Sequence, residues 1–278
     1  MKQLTAFSKL SFIPLLLVAC LTRAQEVDDE RGFSYKEDSK IGPTHWGEIR
    51  PEWKDCSSGE MQSPIDLLNE RVEVVSHLGK LKRSYKPSNT TLINRGHDMM
   101  LRWPGGAGHI QINGTLYQLK QCHWHSPSEH TINGMRFDME VHLVHQSDDN
   151  HTAVIGIMYK IGRPDSFLSM MKRNLKSIAE MQDVEKTIGV IDPKLIKLGS
   201  RKYYRYIGSL TTPPCTPNII WTIVRKVRTV TREQVQLIRN AVHDDSETNA
   251  RPIQPVHKRV WNFIDQEMEI KIVYTMYN

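Results

Sequence analysis

Two histidines one residue apart, His123 and His125 around Trp124, constrain this chain more than any other feature. A third, His142, follows in the run Met139-Glu140-Val141-His142-Leu143-Val144-His145. Side chains alternate faces along a β-strand, so His123 and His125 share a face if their segment is extended. Ile132-Asn133-Gly134 is a turn signal that lets the chain reverse and brings His142 alongside on a neighbouring strand. Three imidazoles converge on one point, with no fourth protein ligand in sight. That is the plan of a catalytic zinc site whose open position is left for water. Gln121 falls on the face of His123, and Glu140 on the face of His142. A ligating imidazole donates its other N–H to such a group. A carboxylate inside a strand is costly without that kind of partner. Taken alone, the triplet also admits a metal-dependent oxygenase, with Glu129 as a carboxylate ligand after the pair, or an inert metal protein.

The chain has 278 residues, enough for one sizeable core or at most two small domains. Lys2 and Lys9 precede a nearly unbroken apolar run from Leu10 to Leu21, followed by Thr22-Arg23-Ala24 and then by acidic residues. Residues 1–24 are therefore expected to be a signal peptide. The apolar run is too short to span a bilayer comfortably, so no stable membrane anchor is expected after cleavage. Cleavage removes three basic residues and no acidic ones, and the formal charge falls from +6 to +3. So mild a charge argues against nucleic acid as a partner. The basic run from Arg225 to Arg232 is read as one solvated face of a strand and its turn.

Cys20 leaves with the signal, and Cys56, Cys122 and Cys215 remain. A secreted chain favours one disulfide. Cys122 lies between Gln121 and His123, so it faces away from the imidazoles and is expected to be a small buried apolar residue. Cys56–Cys215 is then the expected bridge. Asn89, Asn113 and Asn150 each head a glycosylation sequon, and Asn113-Gly114 also reads as a tight hairpin turn.

Residues 31–70 read as an irregular lead-in. Short strand-like runs follow at Thr91–Ile93, His109–Ile112, Thr115–Leu119, Phe137–His145 and Ala153–Tyr159, and again at Tyr203–Ile207 and Ile219–Val227. Apolar spacing predicts a helix over residues 165–181. A second is expected from Arg232 to Val242 with Thr231 as its N-cap. The mix is mainly β with few helices, in one domain.

At this point the chain resembles the α-class carbonic anhydrases, most closely the secreted plant branch. The matching motifs run from about Phe33 to Arg259. They include Gly42-Pro43-x-His45-Trp46, Gln62-Ser63-Pro64-Ile65-Asp66, Asn94-Arg95-Gly96-His97, Gln121-Cys122-His123-Trp124-His125, Ser128-Glu129-His130-Thr131, Glu140-Val141-His142-Leu143-Val144-His145, Gly208-Ser209-Leu210-Thr211-Thr212-Pro213-Pro214-Cys215 and Asn249-Ala250-Arg251-Pro252. The resemblance implies a catalytic domain over residues 31–260, built on a large twisted, mostly antiparallel sheet with peripheral helices. Residues 261–278 form a divergent tail, whose Ile270–Tyr277 run is an extra edge strand or a loosely packed end. The implied cofactor is Zn2+ on His123, His125 and His142, with Gln121, Glu140 and Asn249 behind the ligands. The implied reaction is reversible hydration of carbon dioxide to bicarbonate and a proton.

Further roles follow from the same resemblance. Thr211 is implied to pass its proton to Glu129, so that its hydroxyl accepts from the attacking water species. Thr212 is implied to contact bicarbonate. Val144, Val154, Leu210, Ile219 and Trp221 are implied to form the apolar wall that receives carbon dioxide. His97 is implied to relay protons near neutral pH, with Tyr35 and Asn94 ordering the intervening waters. Arg95 and Met100 stand where the animal pattern has asparagines, and Asp98 where it has a small residue. A nearby Asp98 would raise the His97 pKa, and Arg95 would oppose that. The implied location is the extracellular or cell-wall space, with the plastid stroma reached through the secretory route as the alternative. A catalytically silent storage or binding protein on the same fold is the rival function.

Overall fold

The computed structural model describes residues 32–68, 72–74, 81–179, 181, 184–240, 248–257 and 261–264. The expected signal peptide and the Ile270–Tyr277 run lie outside the described residues.

In chain order the first strands are β1 (Asp66–Leu67), β2 (Val72–Val74), β3 (Lys82–Tyr85), β4 (Ser88–Asn94), β5 (Met99–Arg102), β6 (Gly108–Ile112) and β7 (Thr115–His125). There follow β8 (Thr131–Ile132), β9 (Met135–Arg136), β10 (Met139–Gln146), β11 (Thr152–Ile161), β12 (Val184–Ile191), β13 (Tyr203–Ser209), β14 (Pro217–Val230) and β15 (Trp261–Ile264). Twelve form one sheet with the spine β12-β4-β5-β7-β10-β11-β14-β13-β15-β2, and β6 with β3 attach beside β7. Its pairings are antiparallel except β11–β14 and β15–β2. The expected mainly antiparallel architecture is what the chain adopts.

Two tight turns set the path. Asn113-Gly114 and Asn133-Gly134 both take positive φ at each residue. This is the backbone that reverses a hairpin without splaying its strands. The first joins β6 to β7 and the second joins β8 to β9, which feeds β10. Asn89, Asn113 and Asn150 are all exposed.

Alternation along the strands divides the sheet into two faces. Leu101, Cys122, Trp124, Val141, Leu143, Ile155 and Ile157 point to one side and join a core completed by Phe167, Leu168, Met171 and Leu175. Those last four lie on the helix Ser166–Lys176, whose N-cap Asp165 accepts from the N–H groups of Phe167 and Leu168. The other face carries Val154, Met158, Tyr204, Tyr206, Trp221 and Ile223.

Three expectations need correction. The first helix stops at Lys176, not 181, because the cap at Ser177 closes it; Ile178 packs beyond its end and Met181 is exposed. The second spans Arg232–Arg239, shorter than expected, although Thr231 does cap it in a reciprocal box with Gln234. Trp261–Ile264, the first residues of the expected tail, form β15 and pair with both β13 and β2. The basic run is only partly a solvated face. Arg225 and Lys226 are exposed, but Arg228 bonds the Asp165 carboxylate at 2.9 Å.

Cys56 and Cys215 form the disulfide, and Cys122 is free and buried in the core. The bridge packs among Phe33, Tyr35, Trp46 and Trp53. Among the described residues no helix is long and apolar enough to cross a membrane.

His145 lies on the core face, fully buried. Its Nδ1 donates to the Ala153 carbonyl at 3.2 Å, so Nε2 accepts from the Tyr85 hydroxyl at 2.7 Å. Burial disfavours the charged ring and pushes its pKa from the ordinary 6.5 down to about 3. As pH falls below 6.5 the unfolded chain takes up this proton before the folded one, so stability present above that pH is lost down toward pH 3. The loss is on the order of 4 kcal/mol by pH 3. His145→Gln, which hydrogen-bonds but cannot titrate, should flatten the acid limb of a denaturant-midpoint profile between pH 6.5 and 3; an unchanged slope would refute this assignment.

Candidate metal centre

The site is built where β7 meets β10. His123 pairs directly with His142, and His125 with Glu140. All are on the face opposite Cys122 and Trp124, so the strand alternation read from the sequence is the one observed. The candidate ligand atoms of His123, His125 and His142 lie within 4.8 Å of one another, and all three rings are buried.

Each ring has one nitrogen already engaged. His123 Nδ1 bonds Gln121 Oε1 at 2.9 Å, His125 Nδ1 donates to the Asn249 carbonyl at 2.6 Å, and His142 Nε2 bonds Glu140 Oε1 at 2.9 Å. The other ring nitrogens are Nε2 of His123, Nε2 of His125 and Nδ1 of His142. His125 Nε2 is fully buried and makes no hydrogen bond. A buried polar atom without a partner is costly unless a ligand satisfies it. Burial drives His123 well below the ordinary histidine range, and neighbouring imidazoles add to the effect. A neutral imidazole is the form that donates to a metal. The donor set therefore fits a divalent metal of the zinc type.

Glu140 anchors the back of the site. Its Oε1 receives both His142 Nε2 and His130 Nδ1, the latter at 2.8 Å, and Oε2 accepts from the His130 backbone N–H at 2.9 Å. His130 was quoted in a motif above but given no role. With Nδ1–H donated to the carboxylate, its Nε2 accepts from the Tyr206 hydroxyl at 2.7 Å, and Tyr206 in turn meets Ser63 Oγ at 2.9 Å. Space for the carboxylate comes from Gly156 on β11, directly opposite His142. A Cβ there would stand 2.7 Å from Glu140 Oε1 and 2.6 Å from Ile223 Cδ1.

Glu129 is fully buried. Its Oε1 accepts from the Arg251 N–H at 3.0 Å, while Oε2 makes no hydrogen bond and lies 3.5 Å from His125 Nε2. Arg251 was likewise given no role. Its guanidinium bonds Gln62 Oε1, the Ser63 carbonyl and the Cys56 carbonyl. Neither His130 nor Arg251 lies in a strand or helix, so periodicity gave no signal for them.

Thr211 and Thr212 sit in the turn after β13, held by Leu210 N–H to the Thr216 carbonyl and Cys215 N–H to the Thr212 carbonyl. Both are buried, and Thr212 Oγ1 has no hydrogen-bond partner. No hydrogen bond among the described residues joins Thr211 to Glu129. Val144, Val154, Leu210, Ile219 and Trp221 gather in one apolar cluster, and the Trp221 ring lies 4.8 Å from His142.

Of the residues expected to relay protons or order water, Asn94 is held by backbone. Its Nδ2 donates to the carbonyls of Ile178 and Ala179, and its Oδ1 accepts from the Gly96 N–H, so the side chain is spent on backbone. His97 is buried, 4% exposed, beneath Phe33 and Tyr35 with ring centroids at 5.1 and 6.3 Å. Burial pushes its pKa down to about 3; Asp98 opposes this, and Arg95 and His125 reinforce it. The expected titration near neutral pH is therefore not what this environment favours. Tyr35 belongs to the aromatic cluster over the ring, against Trp46 at 5.5 Å.

Comparison with known proteins gives the same picture. The chain is 62% identical over 235 residues to alpha carbonic anhydrase 7 of Arabidopsis thaliana, covering 84% of this chain and 86% of that one. Among solved structures it superposes on dioscorin complexed with ascorbate at TM-score 0.82 and 45% identity, covering 84% of this chain and 98% of the other. It also superposes on the alpha-carbonic anhydrase of Thermovibrio ammonificans in complex with sulfanilamide, at TM-score 0.75, 32% identity and the same coverage. Residues 41–263 match the eukaryotic-type carbonic anhydrase family across the triad and the strands that carry it, and the chain belongs to that family.

Proposed function

We propose that this protein catalyses the reversible hydration of carbon dioxide with Zn2+ held by His123, His125 and His142. The observation that carries the reading is the triad itself: each ring has its second nitrogen tied to Gln121, Asn249 or Glu140, and the buried His125 Nε2 makes no hydrogen bond. Zinc on three histidines makes water a nucleophile near neutral pH, the behaviour for which carbonic anhydrase is itself the standard example.

The chain's residues then divide the remaining work. Glu129 Oε2, free of hydrogen bonds, accepts a hydrogen bond from the Thr211 hydroxyl and so leaves that oxygen able only to accept from the water it faces. Thr212 Oγ1 holds a bicarbonate oxygen. Val144, Val154, Leu210, Ile219 and Trp221 receive carbon dioxide, which has no charge and needs an apolar surface. Turnover releases a proton, and His97 is the imidazole placed to relay it. At about pKa 3 it accepts that proton uphill, so this step limits turnover when external buffer is scarce.

A second reading draws on the similarity to dioscorin, whose structure was determined with ascorbate. On it, the fold serves as a storage or binding protein with weak or absent hydration activity. Stopped-flow carbon dioxide hydration with zinc content measured on the same sample separates the two: stoichiometric zinc without acceleration over buffer would sink the enzyme reading.

The disulfide, the exposed sequon asparagines and the leader-like first 24 residues together support passage through the secretory route to the extracellular or cell-wall space, or onward to the plastid stroma. Imaging a C-terminal fusion distinguishes these destinations, and a glycosidase mobility shift reports use of Asn89, Asn113 or Asn150.

Two sets of variants test the roles. His142→Ala should lose zinc outright, whereas Glu140→Gln should keep it with affinity weakened about 10–100-fold, as read by competition with a chelator. Equal zinc loss in both would contradict the ligand assignment. Wild-type turnover should rise steeply with added imidazole buffer, and His97→Ala should remove what activity persists at low buffer while responding to imidazole as the wild type does. Activity independent of buffer in His97→Ala would reject the relay.

A further inference from the structure

The turn that carries His97 contains a buried ion pair with no part in the chemistry above. Arg95 donates from Nε to Asp98 Oδ1 at 2.8 Å and from Nη2 to Oδ2 at 2.5 Å, and the Arg95 backbone N–H bonds the Asp98 carbonyl at 2.9 Å. The fork therefore closes the same four-residue turn that the backbone closes. Both side chains are nearly inaccessible, 6% and 1% exposed. Asp98 Oδ2 also stands 3.9 Å from His97 Nε2, so one carboxylate oxygen faces a permanent cation on one side and an imidazole on the other.

We propose that Arg95 and Asp98 are a charge-balancing pair for His97, in which the guanidinium cancels the negative charge that the imidazole would otherwise face. The pair is fixed from behind as well. Asn249 Nδ2 donates to the His97 carbonyl at 2.8 Å, and the Asn249 carbonyl accepts from His125 Nδ1. The turn is thus tied by one residue to the metal centre. Among the described residues, the charged and titratable groups facing His97 are Asp98 and Arg95 on its own turn, His125 on β7, and Tyr35 on the lead-in segment.

Charge balance and simple bracing predict different outcomes. Asp98 alone would hold a proton on His97, since an opposite charge at this range raises a histidine pKa by about 1–3 units. Arg95, bonded to both carboxylate oxygens, removes most of that attraction. Deleting the arginine charge should therefore make His97 more basic, while deleting the carboxylate should not. A brace would act the same way whichever half were lost, because either loss loosens the turn and hydrates the ring.

The test is NMR titration of the His97 ring proton in the full-length protein, assigned by difference with His97→Ala, for wild type, Arg95→Gln and Asp98→Asn. The wild-type midpoint should lie below pH 4, Arg95→Gln should carry it above 4, and Asp98→Asn should leave it below. A wild-type midpoint above 4, an unmoved midpoint in Arg95→Gln, or a raised midpoint in Asp98→Asn would each overturn the proposal. Should Arg95→Gln not fold, Arg95→Asn takes its place, since asparagine is the residue of the animal pattern there. The activity consequence rests on the relay reading and is scored separately. Arg95→Gln should raise low-buffer turnover several-fold, and adding His97→Ala should abolish the gain. A moved titration without that gain would reject the relay and leave the charge balance standing.

Discussion

The antiparallel register between Thr115–His125 and Met139–Gln146 is the constraint on which the site depends. It sets His142 opposite His123 and Glu140 opposite His125. A slip of Thr115–His125 by one residue would send His123 and His125 into the apolar core, away from His142, and bring Cys122 and Trp124 to the polar side. The register is held because the core face opposite the ligands is apolar: Cys122, Trp124, Val141 and Leu143 are each at most 1% exposed. The same burial that stabilises the sheet therefore aims the ligands. Zinc would not have to organise these strands, because packing on the far side already does so.

Behind the ligands lies a directional set of hydrogen bonds whose sense is forced by chemistry. Ionised Glu140 can only accept, so His130 must donate from Nδ1 and accept at Nε2, and Tyr206 must donate to it. The partners around Glu140 hold it well below the usual carboxylate range against the opposing effect of burial. A fixed charge there fixes the His142 tautomer as well, leaving Nδ1 toward the other two rings. This explains why so much polarity is tolerated behind the ligands: most groups there are matched, and three of the buried atoms without a hydrogen-bond partner, His125 Nε2, Glu129 Oε2 and Thr212 Oγ1, are those proposed to meet metal, Thr211 and bicarbonate.

What was legible in the sequence follows from periodicity. Alternation placed His123, His125, Gln121, Glu140 and His142 on one face, and elimination paired Cys56 with Cys215. The long central strands announced themselves by β-branched and aromatic runs. The strands Met99–Arg102 and Val184–Ile191 did not, being short or half-exposed at the sheet's flank. Helix ends were overestimated because apolar spacing continues through Ile178 after the hydrogen-bonded turn has stopped. The burial around Asn94 and His97 was not legible for a different reason. Their environment is set by Phe33, Tyr35, Ile178 and Asn249, which are distant in sequence, and no local pattern reports burial of a loop by such partners.

Arg251 shows how far such long-range partners reach. Its backbone N–H holds Glu129 Oε1, while its guanidinium binds the Cys56 carbonyl and the Gln62 and Ser63 groups that flank the Thr211 turn. Gln62 in turn donates to the Cys215 carbonyl. One buried side chain thus connects both halves of the disulfide to the carboxylate that is proposed to orient Thr211. Burial lowers its pKa to about 10, with the Glu129 carboxylate opposing that fall, so it stays charged at neutral pH. Lysine could not replace it, because a single ammonium cannot span three carbonyl-type acceptors in different directions. The disulfide therefore does more than shorten the unfolded chain. Through Arg251 and Gln62 it is hydrogen-bonded to both Glu129 and the turn that carries Thr211, the two groups on which the proposed orientation of the attacking water depends.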